Sequence, residues 1–263
     1  MANLSAFIIA KNEANRIERA INSVKSIVSE LIVIDSGSTD DTVQIASNLG
    51  AKVIFNEWSG YVRQKAFGED LCKNDWILNI DADEELSKGL QDEIEYIFSS
   101  NNQDRYLAYK FNVVIMHRND LKPRFLAPDN KCIRLYNRRF SSYANSTDFT
   151  THDSVIFNPG INSQDKVYLL HSPSYHRSGT SIEQLVSKAN FYSSEQAKDL
   201  LKLGRNPTKM RVAVEMIVCV FKVFFIRRYF VFGFDGLVDS IIFAFARFIR
   251  LAKTRELFKN EKI

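Results

Sequence analysis

The tripeptide Asp81-Ala82-Asp83 closes the apolar run Trp76–Ile80 and is the sharpest chemical feature of the chain. Two carboxylates one residue apart, where a chain leaves a strand, can hold a hard divalent cation together with ribose or phosphate oxygens. Such a cation bridges a diphosphate and takes up the charge of a nucleotide leaving group. A second acidic cluster, Asp35-Ser36-Gly37-Ser38-Thr39-Asp40, follows the apolar run Leu31–Ile34. Asp35 can accept hydrogen bonds from a base or ribose. Gly37 suits a tight turn, and Ser38 or Thr39 the start of a helix. Lys11-Asn12-Glu13 follow Leu4–Ala10, while Arg63 and Lys65 lie beyond Lys52–Phe55, where they can meet a base or phosphates. No GxGxxG is present, which counts against a dinucleotide cofactor.

These clusters need elements that bring them together. Leu4–Ala10, Leu31–Ile34, Lys52–Phe55 and Trp76–Ile80 read as short, nearly continuous apolar strands. Between and after them the period becomes helical, over Glu13–Ile27, Thr39–Leu49, Tyr61–Cys72 and a stretch capped by Ser87 with Leu90, Ile94, Ile97 and Phe98 as its stripe. Strand–helix alternation of this kind predicts an α/β fold, a Rossmann-like, mostly parallel sheet with helices on both faces. Ligands then sit beyond the carboxyl ends of the strands, where all four polar clusters fall. Further on, Tyr106–Met116, Lys131–Tyr136 and Val167–Leu170 read as strands, and His117–Pro128 and Ser141–Thr151 as loops. From Ser181 the pattern is helical again, with helices over Thr208–Phe232 and Leu237–Thr254.

Composition narrows the class. With 263 residues, only 5 Pro and 10 Gly, the chain is long enough to bury a sizeable core and is neither disordered nor fibrous. Three cysteines, an odd number with no CxxC pair, exclude a fully paired disulfide framework and favour a reducing compartment. Cys72 and Cys219 sit in apolar helical contexts and read as packing residues. The first apolar run lacks a basic stretch before it, so it is no signal peptide. The apolar region Val212–Phe234 is interrupted by Glu215, Lys222, Arg227 and Arg228, so no uninterrupted run reaches membrane-spanning length.

Four ordered motifs carry a resemblance: Ile9-Ala10-Lys11-Asn12-Glu13, Val33 to Thr42, Glu57 to Lys65, and Trp76 to Glu84. Together they resemble family 2 glycosyltransferases of the GT-A, nucleotide-diphospho-sugar transferase fold, and within them the lipopolysaccharide core β-glucosyltransferase branch. The likeness continues more thinly through Arg134-Leu135-Tyr136, His152-Asp153, Leu170-His171 and Leu185–Ala197. It implies a nucleotide-sugar-binding half over residues 1–100, an acceptor-binding half with the catalytic base over 101–180, and a C-terminal helical region over 181–263.

The resemblance also implies roles. Asp35 would contact a uracil base, and the main chain near Ala10 with the Glu13 carboxylate would line the uridine pocket. Asp81 would lie near the ribose and metal, Asp83 would ligate Mg²⁺ or Mn²⁺ on the diphosphate, and His171 would complete that site. His152-Asp153 stands where the branch carries a His-Glu pair, which makes Asp153, one methylene shorter, the candidate base; Asp148, Asp129 and Asp165 compete with it. His117 and His176 read as surface or acceptor-side residues. Direct attack by a hydroxyl at the anomeric carbon inverts it, so an α-linked UDP-sugar, glucose being the branch's commonest donor, yields a β-linked product. The acceptor implied is a lipopolysaccharide core or another lipid-linked saccharide. The alternatives are transfer to a polyprenyl phosphate, for which Arg138-Arg139 is a suitable pair, and sugar-nucleotide binding without catalysis.

Charge is uneven. Residues 201–263 hold 13 Lys/Arg against 5 Asp/Glu, and ten of the chain's 20 Phe. Helices apolar over much of their circumference must bury against something, and Arg227-Arg228 and Arg247 to Lys253 are placed for anionic headgroups. The reading is peripheral association with the cytoplasmic face of the inner membrane, with packing or homo-oligomerisation as the alternative. Nucleic acid is not a partner, since no binding motif accompanies the basic surface.

Overall fold

The computed structural model describes residues 3–118, 120–144, 154–162, 165–177 and 181–260. The chain divides into two compact units: Met1–Val114 with Asp129–Asp148 and His152–His176, and Ile115–Pro128 with Phe149–Thr151 and Arg177–Ile263.

The first unit is a mixed α/β domain of the GT-A-like kind. Its elements run β1 (Leu4–Ala10), α1 (Ile17–Val24), β2 (Glu30–Asp35), α2 (Thr42–Asn48), β3 (Lys52–Phe55), α3 (Tyr61–Leu71), β4 (Trp76–Asp81), β5 (Glu84–Leu86), α4 (Lys88–Ser99), β6 (Ala108–Ile115), β7 (Asp129–Asn137), β8 (Ser141–Ser142), β9 (Ile156–Phe157) and β10 (Val167–His176). The main sheet has the order β3-β2-β1-β4-β7-β6-β10-β5. Strands β1 to β4 are parallel to their neighbours, while β7 joins β4 antiparallel and β6 joins β7 antiparallel.

Every residue of β1 is buried because the strand is covered on both faces. Leu4, Ala6, Ile8 and Ala10 pack in one core with Ile17, Ile21 and Val24 of α1 and Leu90 and Ile94 of α4. Phe7 and Ile9, pointing the other way, join Ile32, Ile34, Ile77 and Tyr136 in a second core with residues of α3. Gly68 lets α3 come close: a Cβ there would lie 2.7 Å from the Phe7 ring. Ser87 caps α4 as its position implies, its hydroxyl accepting from the Leu90 N–H at 3.2 Å.

The second unit holds α5 (Ile182–Lys202), α6 (Lys209–Phe221) continued by one π-helical stretch Lys222–Ile226, a 3₁₀ turn Tyr229–Phe232, and α7 (Gly233–Asn260). Helix α7 packs against both α5 and α6. The stretch Tyr229–Asn260 is long and apolar enough to cross a membrane by length and composition, with a mean hydropathy of 1.6 over its best 18-residue window and a third of that window buried. Asp235 and Asp239 interrupt this stretch, so a search for an unbroken apolar run passes over it.

Candidate active site

The ends of β1 and β2 are laced together. The Asn12 N–H donates to Ser38 Oγ at 2.9 Å, and the Thr39 N–H donates back to Asn12 Oδ1 at 2.8 Å. The Glu13 N–H donates to Thr42 Oγ1 at 2.7 Å, and the Ala10 carbonyl accepts from the Ser36 N–H at 2.9 Å. Asp35 is buried at the base of this lacing. One of its oxygens accepts from the Gly37 and Ser38 N–H groups, each at 2.9 Å, and the other from Ser38 Oγ at 2.5 Å. The turn it holds places Gly37 at φ +84°, a conformation for which glycine is suited. The carboxylate expected at a uracil base is therefore engaged in shaping the turn.

Helix α3 ties in the next strand end. Gln64, fully buried, donates to Ser36 Oγ at 2.9 Å and to the Asn56 carbonyl at 3.0 Å. Arg63 and Lys65, two residues apart on a helix, point to different sides. Arg63 is exposed, whereas Lys65 is only 1% exposed and reaches inward.

Lys65 arrives at Asp81. Its ammonium lies 2.8 Å from Asp81 Oδ1, and Arg134 of β7 lies 2.7 Å from Asp81 Oδ2. Arg134 also pairs with Glu84, whose other oxygen is buried with no hydrogen-bond partner. Asp83 has longer contacts, to Arg16 at 3.4 Å and His176 at 3.3 Å, both on Oδ2. Arg16 is held in turn by Glu13 at 2.5 Å. Four acids thus meet four basic side chains at the carboxyl end of β4.

Their ionisation follows from this pairing. Burial by itself would raise Asp81, but Arg134 and then Lys65 hold its carboxyl well below the usual carboxylate range. Burial opposes ionisation of Asp83 too, and His176 outweighs it, so that carboxyl is also lowered. Glu84 goes the other way, raised chiefly by burial. His176 would be lowered by burial, yet Asp83 beside it pushes it up to about 9. Cys72, by contrast, is a packing thiol that burial pushes up to about 12.

His176 reaches Asp83 through sheet pairing that the sequence hides. Strand β10 runs on past Leu170 and through Pro173, and pairs antiparallel with β5 so that His176 faces Glu84. His171, the histidine expected at the metal, is not brought there. It lies five residues back along an extended strand, about 17 Å away at ~3.4 Å per residue. It is exposed, with Nε2 2.9 Å from the Tyr168 hydroxyl, and its N–H donates to Glu93. Arg16, Glu84, Arg134 and His176 join the site without having been assigned to it; Glu84, closing the motif Trp76 to Glu84, and Arg134, opening Arg134-Leu135-Tyr136, lay in motifs that gave a signal.

Asp153, His152 and Asp148 lie outside the described residues. Of the other acids weighed as base, Asp129 opens β7 and Asp165 is exposed at a left-handed backbone position. Arg138 and Arg139 are engaged at the opposite, amino end of β4. Arg138 donates to the Cys72 carbonyl at 2.8 Å, and Arg139 pairs with Asp75 at 2.5 Å.

Among the described residues, no cluster of three His, Cys, Asp or Glu side chains stands ready to hold a metal ion by itself. Mg²⁺ bound with a diphosphate needs fewer, namely one or two carboxylates with phosphate oxygens and water. The donor set fits that case. Asp83, with its long contacts on one oxygen only, is the carboxylate most easily turned to a cation.

The family model described as Glycosyl transferase family 2 matches residues 5–158. A Rickettsia felis protein described as an uncharacterized glycosyltransferase is 68% identical over 100% of this chain and 93% of its own length. The lipopolysaccharide core biosynthesis glycosyltransferase LpsC of Rhizobium meliloti is 26% identical, over 95% of this chain and 91% of its own. Among solved structures, glucosyl-3-phosphoglycerate synthase from Mycobacterium tuberculosis overlaps in part, with a TM-score of 0.45, 18% identity, and coverage of 79% of this chain and 82% of that one.

Proposed function

From the premise that this chain belongs to glycosyl transferase family 2 and is a glycosyltransferase, we propose that it moves a hexose from a UDP-sugar onto a lipid-linked saccharide, with inversion. The observation that carries this is the pair Asp81 and Asp83 at the carboxyl end of β4, beside the laced ends of β1 and β2. Glucose is the donor favoured by the motif resemblance. A lipopolysaccharide core is the favoured acceptor, by likeness to the R. meliloti relative, whose name gives it that role. The chain then works at the cytoplasmic face of the inner membrane.

The geometry of β4 and its neighbours supports the following division of labour, with the base taken from the resemblance. The turn held by Asp35, the Ala10 main chain and Glu13 would form the wall against which a uridine lies, and Arg63, exposed on α3, would meet the phosphates. Lys65 and Arg134 fix both oxygens of Asp81, so its carboxylate is presented in one orientation to ribose and metal. Asp83 would hold Mg²⁺ or Mn²⁺, which when bound neutralises charge developing on the departing UDP. Arg16, beside Asp83 and paired with Glu13, would lend its positive charge to the diphosphate. Asp153 takes the proton of the acceptor hydroxyl as its oxygen bonds to the anomeric carbon and the bond to UDP breaks on the opposite face. The Arg138-Arg139 pair, committed to the Cys72 carbonyl and Asp75, gives no support to a phosphate acceptor.

The test is UDP release by purified protein with Mg²⁺ or Mn²⁺, using UDP-glucose, UDP-galactose and UDP-N-acetylglucosamine with deacylated lipopolysaccharide core. Release stimulated by acceptor with one donor, and lost with EDTA and in Asp83→Ala and Asp153→Ala, is the expected result. UDP binding without turnover on any donor would overturn the assignment of substrates.

A further inference from the structure

Helix α7 belongs to a long apolar stretch, and one side of it is taken within the second unit. It packs against α5 and α6, with Ala244, Leu251 and Thr254 buried. Its cations are also engaged within the unit. Arg247 pairs with Glu215 at 2.6 Å, Arg250 donates to Gln196, and Lys253 donates to Ser193 and Ser194, each at 2.8 Å. The stretch Arg247 to Lys253, read from sequence as a headgroup contact, is thus a set of helix–helix ties.

Phe234, Ile241 and Phe245 of α7 stay exposed, but the longer open row of apolar side chains lies on α6. Met210, Val214, Ile217, Val218, Phe221 and Phe225 recur at helical spacing along α6 and its π-helical extension, and all are exposed, Met210 by 72% and Ile217 by 77%. The opposite side of the same helix buries Cys219 and Val223. A row of six large apolar side chains facing water marks an interaction surface, not an ordinary solvated face. Between residues 202 and 228 stand seven Lys/Arg and one acid, Glu215, which Arg247 already holds. Lys209, Arg211, Lys222 and Arg227 are exposed around the row.

We propose that this face of α6 and its extension is a monotopic docking surface for an anionic lipid bilayer. The 13 residues of α6 and the 5 of its extension span at most about 27 Å, short of the ~30 Å hydrocarbon core, and carry Arg211, Glu215 and Lys222 along their length, so the helix lies in the interface and does not cross it. Phe and Ile enter the acyl boundary while the flanking Lys and Arg meet phosphate headgroups. A second copy is the poorer occupant, because apposed faces would bring like charges together while the one acid of the stretch is already paired. This deepens the membrane part of the proposed function and rests on that reading for which leaflet is met, but not on donor or acceptor.

The experiment is cosedimentation of the full chain with vesicles of phosphatidylcholine alone and of phosphatidylcholine mixed with phosphatidylglycerol. Binding is expected to the anionic vesicles only and to weaken with salt. The double variant Ile217→Asp, Phe221→Asp should lose at least about tenfold in affinity, since two large apolar side chains no longer leave water. Tyr96→Asp, an exposed aromatic of the first unit, should bind as the parent does. Ile217→Trp supplies a readout that needs no disruptive change: its added fluorescence should be quenched by brominated lipid. UDP release on the soluble, deacylated acceptor should be unchanged in the double variant, which separates failure of this surface from failure of the transferase reading. No binding to either vesicle, binding indifferent to the double variant, no quenching of the added indole in Ile217→Trp, or a dimer by light scattering that Ile217→Asp dissociates would each overturn the proposal.

Discussion

The imidazole of His176 lies 3.3 Å from the Asp83 carboxylate, and it does so because β10 pairs with a three-residue strand that begins directly after Asp83. The same short strand carries Glu84, so the turn between β4 and β5 packs three acids into four residues. Such a turn is tolerable only with cations from elsewhere. Arg16, at the start of α1, Lys65 of α3, Arg134 of β7 and His176 of β10 supply them.

The first prediction concerns stability and pH. His176 is pushed up to about 9 in the folded chain, above its ordinary value of 6.5. A raised value means that the folded state holds the proton more tightly, so the pair's contribution is complete below about pH 6.5. It fades as pH rises through 9. Thermal unfolding in EDTA should therefore show the parent losing on the order of 2–3 kcal/mol relative to His176→Gln between pH 6.5 and 9.5. Parallel curves for the two proteins would contradict the pairing.

Metal binding should carry the opposite pH dependence. A cation on Asp83 competes with protonated His176, so Mn²⁺ affinity in the presence of UDP should rise between pH 7 and 9, by up to about tenfold per unit. Titration by electron paramagnetic resonance measures this directly. His176→Gln should bind Mn²⁺ with a much flatter pH dependence; an equally steep one would mean that a different group is displaced.

The parallel half of the sheet is legible because its strands are covered on both faces and read as unbroken apolar runs, as in Leu4–Ala10 and Leu31–Ile34. The acidic pair is legible for the same reason, standing where such a run stops. What is hidden depends on long-range pairing. Glu84-Glu85-Leu86 has no strand pattern of its own and becomes β5 only against β10. The continuation of β10 through Pro173 goes against local propensity, so His176 reads as a surface residue and His171 takes its place in the sequence reading. Arg134 falls in a visible motif, but its service to Asp81 comes from the antiparallel docking of β7 on β4. The cations of α7 likewise read as solvent-facing until the neighbouring helix surfaces are known.

The base is the part of the site carried by resemblance alone. Replacing Asp153 by Asn should lower kcat by about 10²- to 10⁴-fold while leaving UDP-sugar binding within a few-fold of the parent. Isothermal titration with UDP and Mn²⁺, beside steady-state kinetics, makes the comparison. Loss confined to Asp148→Asn or Asp129→Asn would move the role to that residue.

The two carboxylates of the acidic pair should fail in different ways, although both substitutions remove transfer. Asp83→Asn removes the charge that holds the His176 proton, so it should cost on the order of 2 kcal/mol near neutral pH, a loss that fades as pH rises through 9, and metal-dependent UDP binding is lost at every pH. Asp81→Asn strips a full countercharge from Lys65, whose side chain is 1% exposed and has its ammonium 2.8 Å from that carboxylate. A buried ammonium facing a neutral amide is a much heavier penalty than the loss of a surface pair, and about 2–4 kcal/mol of stability should go with it. Removing the charge from both sides, in Lys65→Met with Asp81→Asn, should restore much of that stability without restoring activity, because the amide cannot replace the carboxylate at the ribose and metal. Denaturant unfolding of the single and double variants closes this cycle. Additive losses would show that Lys65 is held by something other than Asp81.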